Sequence, residues 1–198
     1  IALTGVEFGD MLETIEVWAF SNCNSLTNFA MPSVRTIRMG AFTSCYELSD
    51  VVCGEDLKVI RTGAFDNCHK LKRIVLPLKT NMIYPVVFDD CPKLVTVELV
   101  GGIHSTVASL SLHMESWRNE MEGEINRINQ VLPNTDNGQK TAVIKRWMRS
   151  VIRRINYYKA EHHNLLKEAT TSLELALWKA NLDDNEGGER EGVRTTRG

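Results

Sequence analysis

The sequence lacks any apolar run near the roughly 18 residues that a membrane-spanning helix needs. It also lacks a charge excess: 23 Lys and Arg against 25 Asp and Glu leave −2 over 198 residues. That excludes a bulk polycation built for nucleic acid and a polyanionic tail protein. The opening segment, from Ile1, has neither a basic start nor a continuous apolar core, so it does not read as a signal peptide. No GxSxG, P-loop, GxGxxG or HExxH pattern is present, and no CxxC pair. Five cysteines are an odd number, in a chain too long for a disulfide miniprotein. The length fits one large domain or two small ones.

What the sequence does have is an internal repeat. Phe20, Phe42, Phe65 and Phe88 recur at 22 or 23 residues, and Cys23, Cys45, Cys68 and Cys91 keep step with them. So do Leu26, Leu48, Leu71 and Leu94, then Phe29, Val51, Ile74 and Val97, then Met31, Cys53, Leu76 and Leu99. A period of 20–29 residues with this Leu/Cys spacing lies in the leucine-rich repeat range. Each unit is one coil whose apolar side chains are buried only when neighbouring coils stack on it. The closing aliphatic-x-aliphatic step has the period of two of a short strand. Leu3, Val6 and Phe8 lie 23 residues before Leu26, Phe29 and Met31. The chain therefore starts inside a repeat, and the expectation is a C-terminal piece of a longer array or an incomplete gene model. The pattern weakens in the fourth unit, where Val86-Val87-Phe88 replaces Gly-Ala-Phe, and Gly101-Gly102 ends it.

The phrases GAFTSCYEL and GAFDNCHKL resemble the BspA-type leucine-rich repeats of bacteria and single-celled eukaryotes, over about residues 3–99. The resemblance implies a non-enzymatic repeat protein of the kind linked to surface adhesion or protein recognition. The cysteine column has two readings. One is metal or disulfide chemistry. The other, which the column position favours, is a ladder of small buried hydrophobes whose S–H groups bond to loop carbonyls. Persistently reduced thiols point to an intracellular location, cytoplasmic or nuclear, with an extracellular one left open because buried thiols survive there too and an upstream piece is expected to be missing.

From Ser105 the period changes. Val107, Leu110, Met114, Trp117, Met121, Ile125, Ile128 and Leu132 mark one face of an amphipathic helix, with Ser105 as N-cap. Residues 133–138 are rich in breakers and read as a loop. A second helical face follows: Ile144, Trp147, Val151, Ile155, Tyr158, His162, Leu165, Ala169, Leu173, Ala176 and Ala180, with no Pro or Gly over 139–182. The spacing predicts an antiparallel hairpin with coiled-coil-like packing. Its second helix outruns the first. The excess, Leu165 to Trp178, has to fold back at Thr170-Thr171-Ser172, pack on the solenoid end, or meet another protomer. The strings WRNEMEGEINRINQVLPN (117–134) and KRWMRSVIRRINYYKAEHHNLLKEATTSLELALWKA (145–180) resemble the C-terminal extension of BspA-type repeat proteins from diatoms, which adds a domain boundary and no function. Residues 183–198 hold one aliphatic residue, Val193, and are expected to be a disordered tail.

The expected architecture is therefore a leucine-rich repeat solenoid (1–102), an α-helical hairpin (103–182) and a tail (183–198), mixed α and β overall. Charge is unevenly shared: 9 basic and 12 acidic residues to position 110, 11 and 8 over 111–182, 3 and 5 in the tail.

Three surfaces carry functional readings. On the final strands, Asn28 and Ala30, Asp50 and Val52, Arg73 and Val75, and Thr96 and Glu98 project outward in two rows, candidates for binding a protein partner. A second outward row is Glu16, Arg38, Arg61 and Tyr84. Arg146, Arg149, Arg153 and Arg154, with Lys145, form a basic helix face. It reads either as a site for phosphate on nucleic acid or acidic lipid, or as a solvated face paired to Glu120, Glu122 and Glu124. The near-neutral chain disfavours nucleic acid. His162, Trp117, Trp147 and Trp178 fall on apolar faces and read as core or interface residues, whereas Trp18 is placed at an exposed coil corner. No catalytic residue, cofactor or metal ligand is assigned. A homo-oligomer through the helical extension is the further partner expectation.

Overall fold

The structure, a computed structural model, describes residues 5–6, 11–102 and 115–190, with side chains over 11–102 and 115–181. The chain divides into two compact units, residues 1–156 and 157–198.

In the first unit each coil contributes to two parallel sheets. The aliphatic-x-aliphatic steps form β1 (Gly5–Val6), β3 (Asn28–Met31), β5 (Asp50–Cys53), β7 (Arg73–Leu76) and β8 (Thr96–Leu99), a five-stranded sheet in that order. A shorter step in each coil forms β2 (Thr14–Ile15), β4 (Thr36–Ile37) and β6 (Val59–Ile60). The Ile60–Ile83 bridge carries this second sheet into the next coil. Register follows the sequence columns: Phe29 faces Val51, Val51 faces Ile74, and Ile74 faces Val97. A one-residue slip would turn every apolar side chain of a strand to the other face, so the buried columns fix the pairing.

The core is a set of ladders. Phe42, Phe65 and Phe88 are fully buried, and their rings stack within 9° of parallel at 5.1 and 5.9 Å. Cys45 Sγ donates to the Phe20 carbonyl at 3.0 Å, Cys68 to Phe42 at 3.2 Å and Cys91 to Phe65 at 3.1 Å. Each thiol thus ties its coil to the one before. All five cysteines are free. Burial pushes the Cys45 thiol up to about 11, Cys53 and Cys91 up to about 12, and Cys68 well above its ordinary value. The thiols stay protonated and inert because they are desolvated. Their persistence in the reduced form therefore follows from burial in any compartment.

Two positions per coil adopt the left-handed backbone. One is occupied by Trp18, Gly40, Gly63 and Val86, with φ between 49° and 65°. The other is occupied by Asn22, Ser44, Asn67 and Asp90, of which Asn and Asp tolerate this region best among non-glycine residues.

After β8 the chain turns helical. α1 (Glu115–Val131) is followed by two short 3₁₀ turns, Leu132–Asn134 and Asn137–Gln139, and by α2 (Lys140–Arg190). Ser105, Val107, Leu110 and Met114, expected at the start of the first helix, lie outside the described residues. α1 and the first part of α2 run antiparallel. Ser150 Oγ donates to Glu124 Oε1 at 2.6 Å, Trp147 Nε1 donates to the Glu124 carbonyl at 3.1 Å, and Arg154 pairs with Glu120 at 2.7 Å. Met121, Ile125, Ile128, Ile144, Trp147, Met148 and Val151 are buried, as the helical periodicity requires. Trp117 is half-buried.

Three side chains bond the helices to the last coil. Lys140 Nζ donates to the carbonyls of Cys91, Pro92 and Leu94 at 2.8–2.9 Å. Thr141 Oγ1 accepts from Phe88 N and donates to Asp89 Oδ1. Asn129 Oδ1 accepts from Val97 N at 2.8 Å.

In the second unit the helix continues through Thr170-Thr171-Ser172, which removes the fold-back there, one of the three expected alternatives. The three hydroxyls donate to the carbonyls of Leu166, Lys167 and Glu168 at 2.9–3.0 Å. Hydroxyls that could have competed for a turn are thus satisfied inside the helix. The helix also runs to Arg190, into the segment expected to be a disordered tail. Trp178 was expected in a core or interface. It is 62 % exposed, as Leu165, Leu166, Leu173 and Leu177 also are by about half or more.

Candidate functional site

The coil surface is built by alternation. On β3, β5, β7 and β8 the inward residues are the ladder columns, so every second side chain is left on the outer face. Asn28 and Ala30 are exposed, and Asp50, Arg73, Thr96 and Glu98 are half-exposed. Ser49 Oγ contacts both Asn28 Oδ1, at 3.1 Å, and Asp50 Oδ2, at 2.7 Å. Val52 is 38 % exposed, but Val75, placed by the sequence in the same outward row, is only 6 % exposed.

Val75 faces Glu98 on β8, and Glu98 takes a two-pronged bond from Arg73, Nε to Oε1 at 2.9 Å and Nη2 to Oε2 at 2.7 Å. The ion pair is diagonal in the register, because Arg73 is the partner of Thr96 and not of Glu98. Its hydrogen bonds hold the Glu98 carboxyl below its ordinary value and raise Arg73 above its own. At this end of the five-stranded sheet, the charged side chains are engaged with each other.

The three-stranded sheet offers a different surface. Its outward row is Glu16, Arg38, Arg61 and Tyr84, all exposed. Arg38 pairs with Glu16 at 3.4 Å. The Arg61 guanidinium lies 4.4 Å from the centre of the Tyr84 ring, a cation–π contact. Arg38, Arg61 and Tyr84 line an open groove of about 620 Å³ with Val17, Met39 and Thr62. Trp18, 52 % exposed, follows Val17 in the chain and donates its backbone N–H to the carbonyl of Met39 at 3.2 Å, and Val17 and Met39 both line the groove. A Cβ built on Gly40 would lie 2.4 Å from the Trp18 ring carbons, so the indole rests on a position that only glycine leaves open. The sequence placed Trp18 at an exposed corner, and the structure does so. It did not reveal that Met39 and Val17 border the same groove, because both lie outside the repeat columns.

The basic helix residues are distributed. Arg154 is held by Glu120. Arg149 and Lys145 border one depression, together with Lys79, Thr80 and Asn81 from the last coil. Arg146 borders another, with Glu124, Arg127 and Trp147. Arg153 is exposed. Among the described residues no group of His, Cys, Asp or Glu is placed to hold a metal ion. No described helix is long and apolar enough to cross a membrane. His69 stacks on Tyr46 at 5.1 Å, and His162 is half-exposed.

Parallel coils with one strand register, stacked Phe and Cys ladders and two turns per coil define a leucine-rich repeat solenoid. The chain belongs to the BspA-type leucine-rich repeat family, whose model matches residues 1–110 in 6 copies. No curated protein matches it. Two solved structures are similar to it. One is a leucine-rich repeat protein of T. pallidum, with 33 % identity and a TM-score of 0.42 over 46 % of this chain and 43 % of that one. The other is a leucine-rich cell surface protein of Faecalibacterium prausnitzii A2-165, with 25 % identity and a TM-score of 0.36 over 50 % and 32 %. The chain thus spans less than half the length of either.

Proposed function

We propose that this chain is a non-enzymatic protein-interaction scaffold that recognises its partner through the three-stranded face of the solenoid, while α1 and the start of α2 cap the last coil. The observation that carries the reading is the groove lined by exposed Val17, Met39, Arg61 and Tyr84, with exposed Trp18 next to Val17 in the chain. Trp, Tyr and Arg are the residues that dominate binding energy at protein interfaces. Here they stand on a rigid frame that loses little entropy on binding. The five-stranded face is the lesser candidate, because Arg73 and Glu98 satisfy each other and Val75 is buried. Asn28, Asp50 and Val52 remain its accessible part. Capping is supported by the bonds from Lys140, Thr141 and Asn129 to backbone groups of the last coil.

The test is selection of a displayed peptide library on the immobilised chain. Enrichment should occur and should be lost in the Trp18→Ala, Arg61→Glu double variant, while Asp50→Ala leaves it intact. No enrichment, or enrichment indifferent to the double variant, rejects the reading.

A second reading has one observation in its favour: Lys79, Lys145 and Arg149 border the same depression. Phosphate-bearing partners, nucleic acid or acidic lipid, would bind there in a strongly salt-dependent manner. An Arg149→Glu, Arg153→Glu variant should abolish such binding. Salt-insensitive or absent binding to both probes dismisses it.

A further inference from the structure

From Leu165 onward the apolar face of α2 meets solvent. Leu166 is 55 % exposed and Leu173 66 %, and Ala169 and Ala176 are exposed as well. These four recur at intervals of 3, 4 and 3, the a/d spacing of a coiled-coil seam. Leu165 and Leu177 flank the seam, one on each edge. A single helix with such a stripe is not stabilised by its own hydrogen bonds alone and needs a packing partner.

The order of side chains along the seam identifies the partner. Large and small residues alternate, Leu166, Ala169, Leu173, Ala176, and the spacing is symmetric about Thr171. In a parallel, in-register pair, leucine would meet leucine and alanine would meet alanine. Overfilled layers would then alternate with cavities. In an antiparallel pair centred on Thr171, Leu166 meets Ala176 of the other copy, and Ala169 meets Leu173. Every layer then holds one leucine and one alanine, and the layers are equal in volume. The stripe is complementary to its own reverse.

We infer that residues 165–180 form an antiparallel helix pair with a second copy of this chain. This deepens the scaffold reading, resting on the helical segment as an assembly element. A two-fold pair would present two solenoids to a multivalent partner.

The test uses the full 198-residue chain. Light scattering should give twice the 22.4 kDa of one chain, falling to the single mass on dilution. A Leu166→Glu, Leu173→Glu variant should have the single mass while keeping the cooperative melting of the solenoid. The direction of pairing is read by oxidation in a Cys23→Ser background. Chains carrying Ala169→Cys mixed with chains carrying Leu173→Cys should cross-link to each other far more than either does to itself. A single mass for the unaltered chain, a dimer indifferent to the glutamates, or self-linked Leu173→Cys chains with no gain on mixing each overturns the proposal. Peptide selection by Trp18 and Arg61 would be unaffected by the glutamate variant, so failure here and failure of the recognition face are separable.

Discussion

Lys140 Nζ donates to the Cys91 carbonyl at 2.9 Å and from the same point reaches the Pro92 and Leu94 carbonyls. The residue is 1 % exposed. Its burial lowers the ammonium pKa, yet all three N–H donors have acceptors. In an inner coil such a backbone edge is covered by the next coil; here a lysine covers it. Lys140→Met keeps the length of the stem and removes the donors, leaving buried carbonyls without partners. The expected loss is about 2–4 kcal/mol, read by denaturant unfolding. A loss within error would show that the lysine does not hold the coil end.

The cysteines should separate into two classes under a thiol reagent. Cys45, Cys53, Cys68 and Cys91 are buried and Cys23 is half-exposed. One thiol per chain should react in the native state and four only after denaturation. Rapid labelling of all five would contradict the ladder.

Val86 occupies a left-handed position, φ 49°, that glycine holds in two other coils. A β-branched residue there is strained by roughly 1–2 kcal/mol. Its side chain is 44 % exposed and contributes little packing. Val86→Gly should therefore raise stability by about 1 kcal/mol, net of the entropy that glycine loses on folding. A shift to lower melting temperature would be the contrary result.

Asp66 should respond to pH with a sign opposite to Glu98. Its pKa is raised, first by burial and then by Asp89 and Asp90. In the pH range just above the ordinary aspartate value, the unfolded chain ionises before the folded one. Stability tied to Asp66 is thus lost as pH rises through that range. Asp66→Asn should stabilise the protein at neutral pH, with a gain that shrinks in acid. Glu98, lowered by Arg73, contributes stability above the ordinary glutamate value that is lost as pH falls through its lowered one. Melting curves across acid and neutral pH distinguish the two variants Asp66→Asn and Glu98→Gln.

Much of this was legible in residue order. The repeat columns anticipated the strand register, since Phe29, Val51, Ile74 and Val97 can be buried only if successive coils align. They anticipated the thiol–carbonyl bonds too, because a cysteine at a fixed place in every coil meets the same backbone each time. The hairpin of α1 and α2 followed from the change of period. The exposure of Trp178 was not legible: periodicity marks an apolar face without saying what covers it. Nor was the burial of Val75, which periodicity places in the same outward row as the exposed Val52.

The sequence by itself determined the solenoid, its inward ladders and the switch to helix, because stacking and periodicity are properties of spacing along one chain. Only the tertiary structure decided which outward residues remain available. Arg73 and Glu98 consume each other, Arg61 and Tyr84 join Val17 and Met39 around one groove, and Lys140 closes the last coil. Those outcomes depend on distances between side chains of different coils and helices, which no spacing within one segment encodes.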